Sequence, residues 1–191
     1  MKKLLIALCV TLALATLASA QMDNQNNRRM RTNPRVGGAE MMSNRDIIDN
    51  AVNSPVHTTL VAAVRAAGLV ETLKGTGPFT VFAPTNAAFE KLPAGTVETL
   101  VRPESREMLR GILTYHVVAG ALNSRTIARQ IRAGNGSARL TTVAGATLTA
   151  MMDGRTLVLT DEKGGRSRVE IADVYQSNGI IHSIDTVLMP N

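Results

Sequence analysis

The residues best suited to carry chemistry in this chain are its three histidines, His57, His116 and His182. No two of them stand at the i,i+4 separation or at another spacing typical of metal ligands, and no cluster of acidic residues accompanies them. His116 and His182 could approach each other in the folded chain, but buried polar groups are normally held by hydrogen bonds. The pattern favours structural histidines over metal ligands, so we expect no metal site and no cofactor.

The motifs of common hydrolases are absent from the sequence. There is no Gly-x-Ser-x-Gly stretch, which would place a serine nucleophile on a sharp turn. Glu104 and Glu107 share a helical face with Arg110, a spacing typical of solvent-exposed charges rather than of a carboxylate pair for glycoside cleavage. The only cysteine, Cys9, lies in an apolar N-terminal run. We therefore expect a protein that is not an enzyme.

The N-terminus has the pattern of a secretory signal peptide. Lys2 and Lys3 precede an apolar run over 4–17, and Ala18-Ser19-Ala20 follows as a small-x-small cleavage site. The run is short for a permanent membrane helix. We expect residues 1–20 to be removed near Ala20, leaving no transmembrane segment and a secreted or periplasmic protein.

Residues 21–44 form a polar stretch that is rich in Asn, Gln, Arg and Gly and lacks hydrophobic periodicity. Such a segment buries too little apolar area to offset the entropy of ordering, which predicts a flexible leader. The ordered domain is expected over 45–191, where 15 basic and 13 acidic residues nearly balance and no Trp occurs. A nucleic-acid partner is not expected, because such domains concentrate basic charge and add stacking aromatics.

One stretch organises the rest of the chain. In a strand over 79–83, Phe79, Val81 and Ala83 lie on one face and Phe82 lies on the other, so both faces carry apolar side chains. This pattern predicts that both faces are covered and that Phe82 is a core residue. Pro84 ends the strand, since it cannot donate a ladder hydrogen bond. Thr85 or Asn86 then caps the next helix.

Helical patterns dominate the chain on both sides of this strand, and a β-meander follows them. Ser54 is expected to cap a second helix, and Met108 to lie on the buried face of a later one. Turn-forming residues separate the later candidate strands. These strands are 138–143, 147–152, 157–160, 168–175 and 180–189. The order indicates an α+β domain with helices grouped against a sheet or small sandwich.

Three stretches resemble the signatures of one family, the fasciclin (FAS1) domain. Residues 80–89 (TVFAPTNAAF) resemble its first signature, residues 113–120 (LTYHVVAG) its central Tyr-His motif, and residues 178–190 (NGIIHSIDTVLMP) its closing signature. They stand in the family's order, and the resemblance covers about 45–190. It implies a β-wedge or sandwich of about seven strands with several helices packed on one side. It also implies non-catalytic adhesion through a surface protein or polysaccharide.

The resemblance further suggests candidate binding residues. In animal members of the family, integrin binding has been attributed to an Asp-Ile pair before the closing signature and to the Tyr-His region. The matching positions here are Asp173-Val174, with Val in place of Ile, and Tyr115-His116. These four residues are the candidate partner-binding site.

Composition also supports an alternative function. Few residues are aromatic (3%), whereas Ala, Val, Leu and Met are abundant. Such side chains can leave an apolar cleft between the helices and the sheet. The alternative is a periplasmic binding protein for a small apolar ligand.

Overall fold

The helices and strands of this protein are seen in a computed structural model that describes residues 33–191. The predicted signal peptide and the first part of the predicted leader lie outside the described residues. The helices are α1 (Ile47–Asn53), α2 (Thr58–Ala66), α3 (Val70–Lys74), α4 (Asn86–Glu90), α5 (Thr96–Leu100), α6 (Arg106–Tyr115) and α7 (Ser124–Ala133). The strands are β1 (Arg35–Val36), β2 (Ala39–Glu40), β3 (Phe79–Pro84), β4 (Val117–Ala119), β5 (Ser137–Thr141), β6 (Thr147–Asp153), β7 (Thr156–Thr160), β8 (Arg166–Gln176) and β9 (Gly179–Ile184).

Seven of these strands form one mixed sheet in the order β4-β3-β9-β8-β7-β6-β5. The pair β3 and β9 is parallel and the other neighbours are antiparallel. A bridge between Val118 and Thr142 joins the two ends of the sheet, so that it nearly closes into a barrel. This arrangement confirms the predicted α+β fold with about seven strands.

The core consists of two hydrophobic clusters, one on each face of the sheet. The first cluster contains residues of α1 to α6 packed on Val81 and Ala83 of β3. The second contains Phe82 together with Ile127 and Ile131 of α7. The predicted burial of both faces of this strand is therefore confirmed. Neighbouring residues of β3 separate the two clusters because side chains alternate along a strand.

The predicted helix cap after β3 is also present. The Oγ1 of Thr85 accepts a hydrogen bond from the backbone N–H of Ala88, at 3.3 Å, and α4 begins at Asn86. Pro84 is the last residue of the strand and pairs in register with Ile184. Local rules for strand ends and caps were sufficient here.

Residues before Arg45, where the sequence placed the start of the domain, already pack against the fold. Val36 and Met41 are buried, at 3% and 5% exposure. The side chain of Asn33 donates to the carbonyl of Tyr175 at 2.7 Å and accepts from its N–H at 3.1 Å. The buried positions in this stretch are too few and too irregularly spaced to show a periodicity, so the sequence did not predict the packing of 33–44.

Three further local predictions differ from the structure. Ser54 is the C-cap of α1, and α2 begins at Thr58 with His57 at its N-cap position. Met108 is 65% exposed, so α6 turns it to solvent. The last strand ends at Ile184. Beyond it, Asp185 still donates its backbone N–H to the carbonyl of Arg168, but the N–H of Arg168 is accepted by the carboxylate of Asp185. None of the helices between Asn33 and Asn191 is both long and apolar enough to span a membrane.

Candidate functional site

Tyr115, the first of the predicted binding residues, is fully buried. Its hydroxyl donates to the carbonyl of Thr147 at 3.0 Å and accepts from the N–H of Glu162 at 3.2 Å. Burial raises the pKa of this phenol to about 12. The hydroxyl therefore ties the end of α6 to the strand meander.

His116 follows it inside the core, with 2% of its surface exposed. Its Nδ1 donates to the carbonyl of Ile112 at 2.8 Å, and its Nε2 accepts from the N–H of Leu188 at 3.0 Å. These two partners fix a neutral tautomer. Burial lowers the pKa of His116 to about 4. The imidazole thus connects α6 to the C-terminal segment.

Asp173 and Val174 lie in an irregular part of β8. The register of β8 on β9 shifts between Ile171 and Val174, which is a β-bulge. Val174 is buried in the first cluster. Asp173 is partly exposed with φ of 62°, and its carboxylate accepts from the N–H of Ser124 at 2.7 Å and from its hydroxyl at 2.6 Å. The bulge therefore aims this carboxylate at the start of α7, where negative charge is favourable.

The structure does not bring the four candidates to one surface. Tyr115, His116 and Val174 are inside the fold, and only Asp173 reaches the surface. The Tyr-His pair and the Asp-Val pair have separate hydrogen-bond partners. That any of the four contacts a partner stays a prediction.

Asp173→Asn is expected to lower the free energy of unfolding by about 1–2 kcal/mol, since a charge-assisted bond to Ser124 is lost. Asn tolerates the left-handed backbone of this position, so the loss measures the bond rather than strain. Urea unfolding of the two proteins would measure it, with Glu40→Gln as the control, because this carboxylate is exposed and takes part in none of the salt bridges among residues 33–191. Equal stability of Asp173→Asn and the unchanged chain would contradict the anchoring role.

The other two histidines also have structural partners. His182 donates from Nε2 to the carbonyl of Leu122 at 2.8 Å and stacks on Phe82 with ring centroids 5.5 Å apart. His57 is hydrogen-bonded to the hydroxyls of Ser54 at 2.8 Å and Ser183 at 3.0 Å. Burial lowers the pKa of both imidazoles. Over residues 33–191, no three His, Cys, Asp or Glu side chains form a group able to hold a metal ion.

A surface groove of about 460 Å³ runs between the start of α7 and strands β6 to β8. We call it the α7–β8 groove. Its polar lining includes two arginines and one glutamate, and its apolar lining comes from five side chains. The main lining residues are Ser124, Arg125, Ala128, Met152, Arg155, Leu157, Val169 and Glu170. Because Asp173 holds Ser124, it positions one wall of this groove.

A second space, which we call the helix-layer cavity, lies between the helices and the sheet. It has room for about 40 Å³ and is lined almost entirely by apolar side chains. Its inner end reaches Phe82 and Val117 of the sheet, and its outer end lies at Ala51, Val61 and Arg65 of α1 and α2. This cavity is where the sequence placed a small apolar ligand.

Comparison with known proteins identifies the family. The family model described as the fasciclin domain matches residues 55–190. The chain belongs to the fasciclin domain family. This fasciclin protein is 42% identical over 180 residues to Protein sll1483 of Synechocystis sp., covering 94% of this chain and 89% of the relative. It is 40% identical over 154 residues to the immunogenic protein MPB70 of Mycobacterium bovis, covering 78% and 71% of the two chains.

Two further comparisons concern surface and adhesion proteins. The cell surface glycolipoprotein MPB83 of Mycobacterium bovis is 37% identical over 159 residues, covering 81% of this chain and 64% of that relative. The structure of a FAS1 domain pair from the insect cell adhesion molecule Fasciclin I superimposes with a TM-score of 0.67 at 19% identity. That comparison covers 76% of this chain and 51% of the insect chain, so this fasciclin protein spans about half of it. The likeness shows the fold.

Sequence reasoning missed the residues of the α7–β8 groove. The signal that could have found them is a local excess of basic over acidic residues, which disappears when charge is counted over the whole of 45–191. Residues 124–173 contain eight basic and five acidic side chains, whereas the rest of 33–191 contains eight and nine. Counting charge by segment would have marked residues 124–173, the segment that holds the groove.

Proposed function

We propose that this protein is a non-catalytic, exported adhesion domain that binds an anionic surface polysaccharide through the α7–β8 groove. The family and the surface and adhesion proteins it resembles support an adhesive function. The observation that carries the choice of ligand is the pair of unpaired arginines, Arg125 and Arg155, at a groove that is also lined by apolar side chains. The size of the groove is in the range of ordinary ligand sites.

The two arginines are available to a ligand. The salt bridges among residues 33–191 engage Lys74, Lys91 and Arg168, and neither Arg125 nor Arg155 takes part in one. A guanidinium binds a carboxylate through two parallel N–H···O bonds, so each arginine can hold one acidic sugar. The pairing explains why a uronic acid polymer suits this groove better than a neutral one.

The remaining lining complements the rings of a sugar chain. Ala128, Leu157 and Val169 offer apolar area to the C–H faces of the rings. The carboxylate of Glu170 can accept hydrogen bonds from sugar hydroxyls. Since a single weak site gains strength when many are displayed, a repeating polymer is a suitable partner for one such groove.

The test is binding of the chain to immobilised polygalacturonate, with dextran as the neutral polymer. Arg125→Gln and Arg155→Gln are each expected to weaken binding about two- to fivefold, because each removes one exposed ion pair. Arg110→Gln replaces an arginine outside the groove and is the matched control. Binding is expected to weaken as salt rises.

Three results would contradict the proposed function. Equal binding to dextran and polygalacturonate would remove the charge argument. Unchanged binding of the Arg125→Gln, Arg155→Gln double variant would place the site elsewhere. Failure to bind either polymer, with capture of a surface protein that both substitutions abolish, would make the groove a protein-binding site.

Export is the second part of the proposal, and it is supported by the N-terminal pattern of residues 1–20. The intact mass of protein recovered from its host should correspond to a chain that begins at Gln21. A mass that includes residues 1–20 would contradict cleavage.

A further inference from the structure

The helix-layer cavity has one charged residue, Arg65, and its other lining residues are apolar except for the hydrogen-bonded, neutral His116. Val61, Val64 and Val70 are among the apolar side chains that the helices contribute to the lining. Arg65 of α2 also lines the cavity, at its outer end. Val64 is buried, whereas Arg65 is exposed, so the guanidinium is at the mouth and not in the interior. The cavity therefore offers a ligand an apolar interior and a positive entrance.

Arg65 has no partner that would occupy its guanidinium. It takes part in none of the salt bridges or side-chain hydrogen bonds found among residues 33–191. By contrast, Lys74 on the next helix is paired with Asp46 and Asp49. An exposed arginine without an ion pair at the mouth of a cavity complements an anionic head group.

The size of the cavity limits the apolar part of the ligand. One water-sized group needs about 10–15 Å³ of such space. The available 40 Å³ therefore holds about three groups of that size in a row. A space so apolar gives water few hydrogen-bond partners, so a hydrocarbon chain fills it better than water does.

We propose that the helix-layer cavity binds a short straight-chain carboxylate of about four carbons, with its alkyl chain in the cavity and its carboxylate on Arg65. This inference goes beyond the adhesive function and rests on different residues. It also gives a chemical class to the small apolar ligand suggested by the composition.

The experiment is a titration of the chain with sodium butyrate, in which binding is monitored by the NMR chemical shifts of the backbone amides. Saturable shifts are expected around Ala51, Val61 and Ile181, with weak affinity on the order of millimolar. Acetate should bind about tenfold more weakly, because two buried methylene groups are missing. Hexanoate and octanoate should bind no better than butyrate, since the cavity is filled.

Two variants test the geometry. Arg65→Gln is expected to weaken butyrate binding about two- to fivefold and to leave butanol binding unchanged, because only the head-group contact is lost. Ala51→Leu should fill the mouth and abolish saturable binding, and the dispersion of its amide spectrum checks that it is folded. Arg125→Gln lies in the other site and should leave butyrate binding unchanged, so this inference and the adhesive function fail separately.

Affinity that keeps rising through octanoate and survives Ala51→Leu would overturn the proposal, since it would indicate adsorption to the surface. Butylamine binding as well as butyrate would also overturn it, because Arg65 repels a cation. So would the absence of shifts at these amides at saturating butyrate.

Discussion

Phe82→Ala is expected to lower the free energy of unfolding by about 3–5 kcal/mol. Phe82 is fully buried in the second cluster, and its ring stacks on His182 at 5.5 Å. Its backbone N–H donates to the carbonyl of His116 at 2.9 Å and survives the substitution. The loss is therefore one of ring burial and of the cavity left beside the sheet.

Urea unfolding at neutral pH would measure the effect. Phe82→Leu keeps most of the volume and is expected to lose much less stability. Met108→Ala is the surface control, because this side chain is 65% exposed and should change stability by under about 0.5 kcal/mol. A loss below about 1 kcal/mol for Phe82→Ala would mean that the sheet does not depend on this residue.

Acid is expected to destabilise the fold by about 3 kcal/mol through His116 alone. Burial lowers its pKa from the ordinary 6.5 to about 4, so the unfolded chain binds a proton more readily than the folded one. Stability from this group is complete above about pH 6.5, falls as the pH drops through the interval to 4, and is constant below it. Protonation would also place a second N–H against the N–H of Leu188.

Two other histidines add to the loss in the same direction. Burial lowers the pKa of both His57 and His182, because the charged imidazolium would lose its solvation by water inside the fold. Unfolding midpoints between pH 7.5 and 4.5 would follow the decline. His116→Asn is expected to be less stable at pH 7.5 but to show a flatter pH profile. A steep profile retained by this variant would assign the acid sensitivity to other groups.

The sequence was informative where local rules decide the structure. The strand over 79–83, its end at Pro84 and the cap at Thr85 depend on alternation, on a missing N–H and on a short side chain. It was less informative where a distant partner decides. Ser54 is a residue type that often begins a helix, but here it ends α1. Its hydroxyl is hydrogen-bonded to His57, which is in turn hydrogen-bonded to the distant Ser183.

The packing of residues 33–44 and the two sites depend on still longer separations. Asn33 is held by Tyr175, which lies 142 positions later. The α7–β8 groove combines residues from 124–128, 152–157 and 169–172, none of which forms a motif by itself. The resemblance to fasciclin domains predicted the fold correctly, but it directed attention to Tyr115 and His116, which the structure buries.

The most direct test of the account is retention of polysaccharide from the host's own envelope fraction by the immobilised mature chain. The chain is compared with two variants. The groove variant carries both Arg125→Gln and Arg155→Gln, and in the leader variant Arg28, Arg29 and Arg31 are replaced by Gln. We predict that the unchanged chain and the leader variant retain an acidic polysaccharide and that the groove variant retains much less of it. Retention by the groove variant, with loss in the leader variant, would contradict the account, because the leader and not the fasciclin domain would then bind.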